Sequence, residues 1–281
     1  MERIHNMEHV IKENDRIILN KENYEYYVNS GGEDLKHISL FIPCAVDALL
    51  GDVGVDTVTL LSSLGYELIY HEEQTCCGQP AISAGQVDLA KGIAKRFIDI
   101  FENDEVIVSP SGSCVNTVKN DYPRLLQDEP CWQKRALSLS KRIYEVSQYL
   151  VDVASVEDVN ASFNGKIAYH KSCHLLRALG IDGQPQKLLA NVKGAEIVPL
   201  NAAEQCCGFG GQFAVKYPLI SEAMVRQKTQ NFLQSGADRL IVSDPGCLLN
   251  IGGYLHRHHP HLKAQHIVSF LAENLEGGAN R

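Results

Sequence analysis

The chain has no apolar run approaching the ~18 residues needed to cross a bilayer. Its first residues, Met1-Glu2-Arg3-Ile4-His5-Asn6, lack the hydrophobic stretch of a secretory signal. A protein that does not span a membrane is expected. Positive charge is scarce: 26 Lys and Arg face 34 Asp and Glu, for a net charge of −8. With no long basic stripe, nucleic acid is excluded as the main partner. Gly208, Gly210 and Gly211 do not complete G-x-G-x-x-G, and the glycine and lysine spacing of a phosphate loop is missing. His-Glu-x-x-His is absent, and no Ser-His-Asp ordering stands out. The sequence therefore identifies no catalytic residue. Neither the C-x2-4-C knuckle usual for zinc nor the C-x2-C-x2-C-x3-C-P run of a ferredoxin occurs.

What the chain does have is nine cysteines, eight of them in a pattern that occurs twice. The first set is Cys44, Cys76, Cys77 and Cys114; the second is Cys173, Cys206, Cys207 and Cys247. The single-to-pair spacings are 32 and 33 residues, and the pair-to-last spacings are 37 and 40. Corresponding cysteines are offset by 129 to 133 residues. The flanks repeat too: Thr75-Cys76-Cys77-Gly78-Gln79 matches Gln205-Cys206-Cys207-Gly208-Phe209, and Ile107-Val108-Ser109 matches Ile241-Val242-Ser243. A domain-sized offset held over several anchors predicts two homologous halves. At 281 residues the chain is long enough for two domains. Residues 1–36 are expected to form an N-terminal extension, with Ile4, Met7 and Ile11 at helical spacing. Residues 37–152 would form the first domain, with a long linking helix over 133–153. Residues 153–281 would form the second.

Each half alternates strand and helix. Apolar runs at 38–42, 67–70 and 105–109 read as strands of the first half, with helices over 56–64 and 87–101 between them. Runs at 166–170, 196–200 and 239–243 repeat the strands in the second half. Such alternation predicts an α/β fold with parallel sheets and right-handed crossovers. A cysteine falls just past each of the six strands. Loops after parallel strands emerge at one edge of the sheet, where ligands bind in open α/β folds. Cysteines 30 to 40 residues apart in sequence can therefore converge there. Helices starting beside them would lower thiol pKa values and offset negative charge.

Gathered thiolates are soft ligands, suited to an iron–sulfur cluster or a soft metal. Buried structural thiols would not explain the repeated placement after strands. Disulfides do not fit an odd cysteine count without a secretory signal, which points to a reducing cytoplasm. Adjacent cysteines also form no unstrained disulfide with each other. Structural zinc remains open, although its usual knuckle is missing. Cys131 has no repeat partner and, beside Trp132, reads as a packed thiol. His256, His258, His259 and His261 read as a solvated helix end or turn around Pro260. The glycines at 208, 210 and 211 read as positions where backbone approaches a cluster closely.

The two Cys-Cys-Gly triplets resemble the cysteine-rich CCG domains of heterodisulfide reductase and related iron–sulfur oxidoreductases. Phe41-Ile42-Pro43-Cys44, Tyr169-His170-Lys171-Ser172-Cys173-His174 and Cys206-Cys207-Gly208-Phe209-Gly210-Gly211 are similar to the LutA/YkgE/LldE type, over about residues 37–275. That resemblance implies an iron–sulfur electron-transfer subunit of a cytoplasmic complex oxidising L-lactate to pyruvate. It implies one cluster per domain, held by the eight repeated cysteines, and two partners: a ferredoxin-type (LutB-like) protein and a LutC-like protein. The fuller family pattern ends in Cys-x-x-Cys, but Ser111 and Asp244 stand at the first of those positions here. Each half is thus a four-cysteine site, which fits a conventional 4Fe-4S cluster, with Ser111 and Asp244 as candidate weak oxygen ligands. Lys171, His174 and Arg177 are candidates for an electropositive rim at the second site. Two alternatives are a structural zinc or iron subunit without redox function, and an electron-transfer subunit serving another 2-hydroxy acid or glycerol 3-phosphate.

Overall fold

The structure is a computed structural model that describes residues 37–276 and two N-terminal strands, β1 (Val10–Glu13) and β2 (Arg16–Leu19). The chain divides into two compact units. One holds the chain up to Pro110 together with Thr117–Glu145, and the other holds Ser111–Asn116 together with the chain from Val146 onward.

In the first unit, β3 (His37–Leu40), β4 (Glu67–His71), β5 (Ile107–Ser109) and β6 (Ile143–Glu145) form a parallel sheet in the order β4-β3-β5-β6. β2 pairs antiparallel with β4 and β1 with β2, extending that edge. The strands are short apolar runs, and β3 and β5 bury every residue except His37. Helix Gly51–Ser63 links β3 to β4 and helix Val87–Phe101 links β4 to β5. In the latter, Ala90, Ala94, Phe97, Ile98 and Phe101 recur at spacings of three and four, so one face is buried. Phe97 meets Phe41 edge-on with ring centroids 4.8 Å apart and stacks on Phe101 at 4.6 Å. Burying each such ring contributes about 1.5–3 kcal/mol.

In the second unit, β7 (Ser162–His170), β8 (Lys193–Ile197), β9 (Arg239–Val242) and β10 (Lys263–His266) run parallel in the order β8-β7-β9-β10. Helices Gly183–Ala190, Pro218–Ser235 and Pro245–His258 make the crossovers. The first, second and third strands of each unit thus hold the same relative places, and a fourth completes each sheet. The two four-stranded parallel sheets are the architectural form of the internal duplication. In both sheets the chain moves outward from its first strand to its second, then crosses back to place its third on the other side. This reversal makes a crevice at the carboxyl ends of β3 and β5, and of β7 and β9.

Two expectations are corrected: the strand expected over 196–200 lies earlier, as β8 over Lys193–Ile197, and the linking helix is broken. No single helix covers 133–153: helix Pro130–Leu139 stops, and Ile143–Glu145 becomes strand β6. Ile143 and Glu145 are fully buried there, so completing the sheet outweighs helix propensity. Ile4, Met7 and Ile11 have a spacing that would allow a helix; residues 1–9 lie outside the described residues, and Ile11 falls in strand β1. Among the described residues no helix is long and apolar enough to cross a membrane.

Candidate metal centres

All nine cysteines are free thiols. All eight repeated ones sit in tight turns or first helical turns after a strand. Cys44 opens helix Cys44–Leu49 after β3, and Cys247 lies in the first turn of helix Pro245–His258 after β9. Cys173 caps the π-helical segment His174–Leu179 after β7. Cys76-Cys77 follow β4 and precede Gly78, whose φ of 82° is left-handed. Cys206-Cys207 follow β8 through the turn at 201–205 and precede Gly208 at φ 88°. In both loops the glycine N–H donates to the sulfur of the first cysteine at 3.4 Å: Gly78 to Cys76 and Gly208 to Cys206. The carbonyl of the second cysteine is tied down in both as well. Cys77 accepts from Tyr122 Oη at 2.7 Å, and Cys207 accepts from Asn250 Nδ2 at 2.8 Å.

The second set gathers completely within its unit. The Cys206 sulfur accepts from the thiols of Cys173 and Cys207, which hold its pKa at about 2, far below the usual thiol range. The same crowding pushes Cys173 and Cys207 up. Cys207 donates to Cys247 across 3.3 Å and helps lower it to about 6. Ser172 Oγ also donates to the Cys247 sulfur, at 3.5 Å. In the first unit the Cys76 sulfur accepts from Cys44 and Cys77 and is lowered to about 3. Cys114, from the same set, is buried in helix Gly112–Asn116, a segment that folds with the second unit.

His170 lies within the motif Tyr169-His170-Lys171-Ser172-Cys173-His174, but the sequence gives it no role of its own. It ends β7, is fully buried, and its Nδ1 lies 3.1 Å from the carbonyl of Ala203. One ligand atom each from His170, Cys207 and Cys247 lie within 4.8 Å of one another. The signal in the sequence is its place at the strand end, three residues before a site cysteine. Lys228 is likewise silent in the sequence. It is buried in helix Pro218–Ser235, and its Nζ donates to the carbonyls of Ala202 and Ala203. Burial lowers its pKa to about 8, against the pull of the nearby thiolates. Asn231, one turn further on, donates to the Asn201 carbonyl at 2.9 Å. Together these two side chains clamp the turn that delivers Cys206-Cys207.

The other candidates have defined partners. Asp244 caps helix Pro245–His258: its Oδ1 accepts from Gly246 N at 3.0 Å and its Oδ2 from Ser113 N at 2.9 Å. Ser111 Oγ lies 3.2 Å from Ser113 Oγ and accepts from Cys114 N at 3.4 Å. Of the rim residues, Lys171 pairs with Asp182 at 2.7 Å, and Arg177 donates to the Glu204 carbonyl at 3.2 Å. His174 Nδ1 is 4.0 Å from Cys173 Sγ. The close approach at Gly208 is to protein: an added Cβ would lie 2.8 Å from the Ser221 carbonyl and 2.9 Å from Met224 Cβ. Cys131, expected to be packed, is exposed; beside it Arg135 covers the Trp132 ring at 4.1 Å. His256, His258 and His261 are exposed at the end of helix Pro245–His258 and in the turn after it.

The second donor set is sulfur-rich and already converged, with Cys207 and Cys247 buried and Cys173 and Cys206 half-buried, which fits a soft metal or an iron–sulfur cluster. Loading either would displace the shared thiol protons, since the thiolate is the ligand.

The model of the CCG cysteine-rich domain matches the chain twice, over residues 38–119 and 167–252. Lactate utilization protein A of Oceanobacillus iheyensis is 44% identical over 241 residues, 86% of this chain and 98% of that protein. The protein of the same name from an Exiguobacterium species is 47% identical over 244 residues, 86% of this chain and 99% of its own. Among solved structures, a putative Asp/Glu racemase from Yersinia pestis covers 84% of this chain and 96% of its own. Its TM-score is 0.36 at 10% identity, too low to indicate a shared fold.

Proposed function

The chain belongs to the family of lactate utilization protein A, built from two CCG cysteine-rich domains, and we propose that it is the iron–sulfur electron-transfer subunit of a cytoplasmic complex oxidising L-lactate to pyruvate. The observation that carries this reading is the chain of sulfur contacts from Cys173 through Cys206 and Cys207 to Cys247. A bound cluster would supply one-electron transfer; two such steps accept the two electrons lactate loses, while its two protons leave separately. The protein's own residues hold and tune the site. Cys173, Cys206, Cys207 and Cys247 are the ligands of the second centre, and Cys44, Cys76, Cys77 and Cys114 those of the first. Gly78 and Gly208 N–H groups and the Ser172 hydroxyl donate to sulfur, and such bonds raise reduction potential. Because the chain lacks the ferredoxin cysteine run, electrons must pass through a partner; a ferredoxin-type protein and a LutC-like protein fill that role.

The test is anaerobic purification followed by iron, acid-labile sulfide and zinc analysis, then assay of L-lactate oxidation with the partner proteins added. Iron with sulfide, and activity that depends on this chain, support the reading. A second reading rests on the 3.3 Å separation of Cys207 and Cys247 beside His170, which suits a single tetrahedral ion. Stoichiometric zinc without sulfide, from cells grown with ample iron, would replace the first reading with this one.

A further inference from the structure

We propose that His170 is a ligand of the second metal centre through Nε2, so that the two centres of this chain differ in chemistry: the first all-sulfur, the second sulfur and nitrogen. The inference deepens the reading above and rests on it.

Three observations carry it. A ring nitrogen of His170 and the sulfurs of Cys207 and Cys247 lie within 4.8 Å of one another. Nδ1 is engaged by the Ala203 carbonyl, so it carries the ring proton and leaves Nε2 with a lone pair. Nε2 is buried and makes no hydrogen bond to a nitrogen or oxygen atom, and the imidazole instead interacts with the Cys247 thiol, so its lone pair is left to the site sulfurs. One ring nitrogen fixed on a carbonyl and the other free toward soft donors is the usual arrangement of a ligating histidine.

The Ala203 carbonyl also accepts from Lys171 N and from Lys228 Nζ, so the group that orients the imidazole is itself held rigidly. The repeat supplies an internal control. His170 registers with Val242 in the second sheet, and Leu40 registers with Val108 in the first. Val108 and Val242 are equivalent in the repeat, so the sheet register sets Leu40 at the place of His170, while counting back three residues from Cys44 and Cys173 sets Phe41 there. Both Leu40 and Phe41 are apolar and fully buried. Replacing thiolate by imidazole raises the potential of an iron–sulfur centre. The second centre should therefore be reduced first.

The experiment uses the full chain, loaded anaerobically with iron and sulfide, in natural-abundance form and with 15N-labelled histidine. The same samples are analysed for iron, sulfide and zinc. Pulsed electron paramagnetic resonance of the partly reduced protein is expected to show a strong nitrogen coupling that changes with the label. It should vanish in His170→Leu, persist in His174→Leu, and vanish in His170→Cys while iron content is kept. Iron and sulfide present without any histidine coupling would overturn the inference and leave the cluster reading standing. Loss of the coupling in His174→Leu but not in His170→Leu would overturn it too. Zinc without sulfide would overturn the cluster reading. X-ray absorption of that zinc then decides the ligand: a mixed nitrogen and sulfur shell supports His170, and an all-sulfur shell overturns it. The labelled wild-type measurement stands even where a variant fails to fold.

Discussion

His170 and Lys228 share one acceptor: Nδ1 of the first and Nζ of the second lie 3.1 and 3.2 Å from the carbonyl oxygen of Ala203. That oxygen lies in the turn just before Cys206-Cys207, next to Ala202, whose φ is 49°. A left-handed conformation at a residue other than glycine costs free energy and persists only where its surroundings hold it. Lys228 supplies part of that hold.

Lys228→Met keeps most of the side-chain volume but removes the charged donor that the Ala202 and Ala203 carbonyls share. The expected loss is about 1–3 kcal/mol in urea unfolding, together with weaker metal retention at the second site. The pH dependence has a definite sign. The pKa of Lys228 is depressed from 10.5 to about 8 in the folded chain. The penalty for burying its charge is full below about 8 and gone above the free-lysine value. Wild type should therefore gain stability relative to Lys228→Met as pH rises through that window. A flat difference would count against it.

Gly208→Ala and Gly78→Ala should differ in severity. Both positions have left-handed φ, at 88° and 82°. At Gly208 the new Cβ would meet the Ser221 backbone at 2.8 Å, whereas at Gly78 the nearest atom is Ile93 Cγ2 at 3.1 Å. A side-chain methyl yields more readily than backbone. Thermal melts should show Gly208→Ala losing more than the ~1–3 kcal/mol of backbone strain alone, and Gly78→Ala losing close to it.

Asp244→Ala removes a helix cap and the acceptor for Ser113 N. A cost of about 1–2 kcal/mol is expected, with Asp244→Asn retaining much of the cap. Mössbauer spectra of iron-57-loaded Asp244→Ala should match wild type if the carboxylate acts only as a cap. A changed iron environment would make it a ligand.

Cys207→Ser and Cys76→Ser should separate the two centres. Each is expected to lower iron by about half, with the missing half belonging to its own cysteine set. Loss of all metal from a folded variant would point to a single composite site.

Most strands and the helix at 87–101 are legible in the sequence because their apolar residues follow a clean period, and helix Val87–Phe101 ends where its pattern ends, whereas β8, expected over 196–200, runs over Lys193–Ile197, where Lys193, Gly194 and Glu196 leave no apolar run to read. β6 is not: three residues are too few to carry a period, and only the sheet gives Ile143 and Glu145 a reason to be extended. The cysteines are legible from the repeat alone. His170 is hidden because in sequence it is one of eleven histidines, and its meaning comes from which nitrogen is occupied. Lys228 is hidden more deeply. A lysine in a helix reads as solvated, and only the turn folded over it makes it structural. Gly208 reads as a close approach to the site, yet the crowding at that position comes from helix Pro218–Ser235.

The two sheets protect corresponding edges by different means. In the first, β2 covers β4 with an antiparallel pairing. In the second, among the described residues, no strand pairs with the outer side of β8. That strand instead carries Lys193 and Glu196, and Gly194 with φ 79°, opposite an irregularity in β7 between Ser162 and Gly165. Charge and a broken pleat make a poor template for a further strand. Replacing Lys193, Gly194 and Glu196 with valines would turn that rim into a seed for fibrils. The wild-type rim should let concentrated solutions of the protein stay free of stacked sheets.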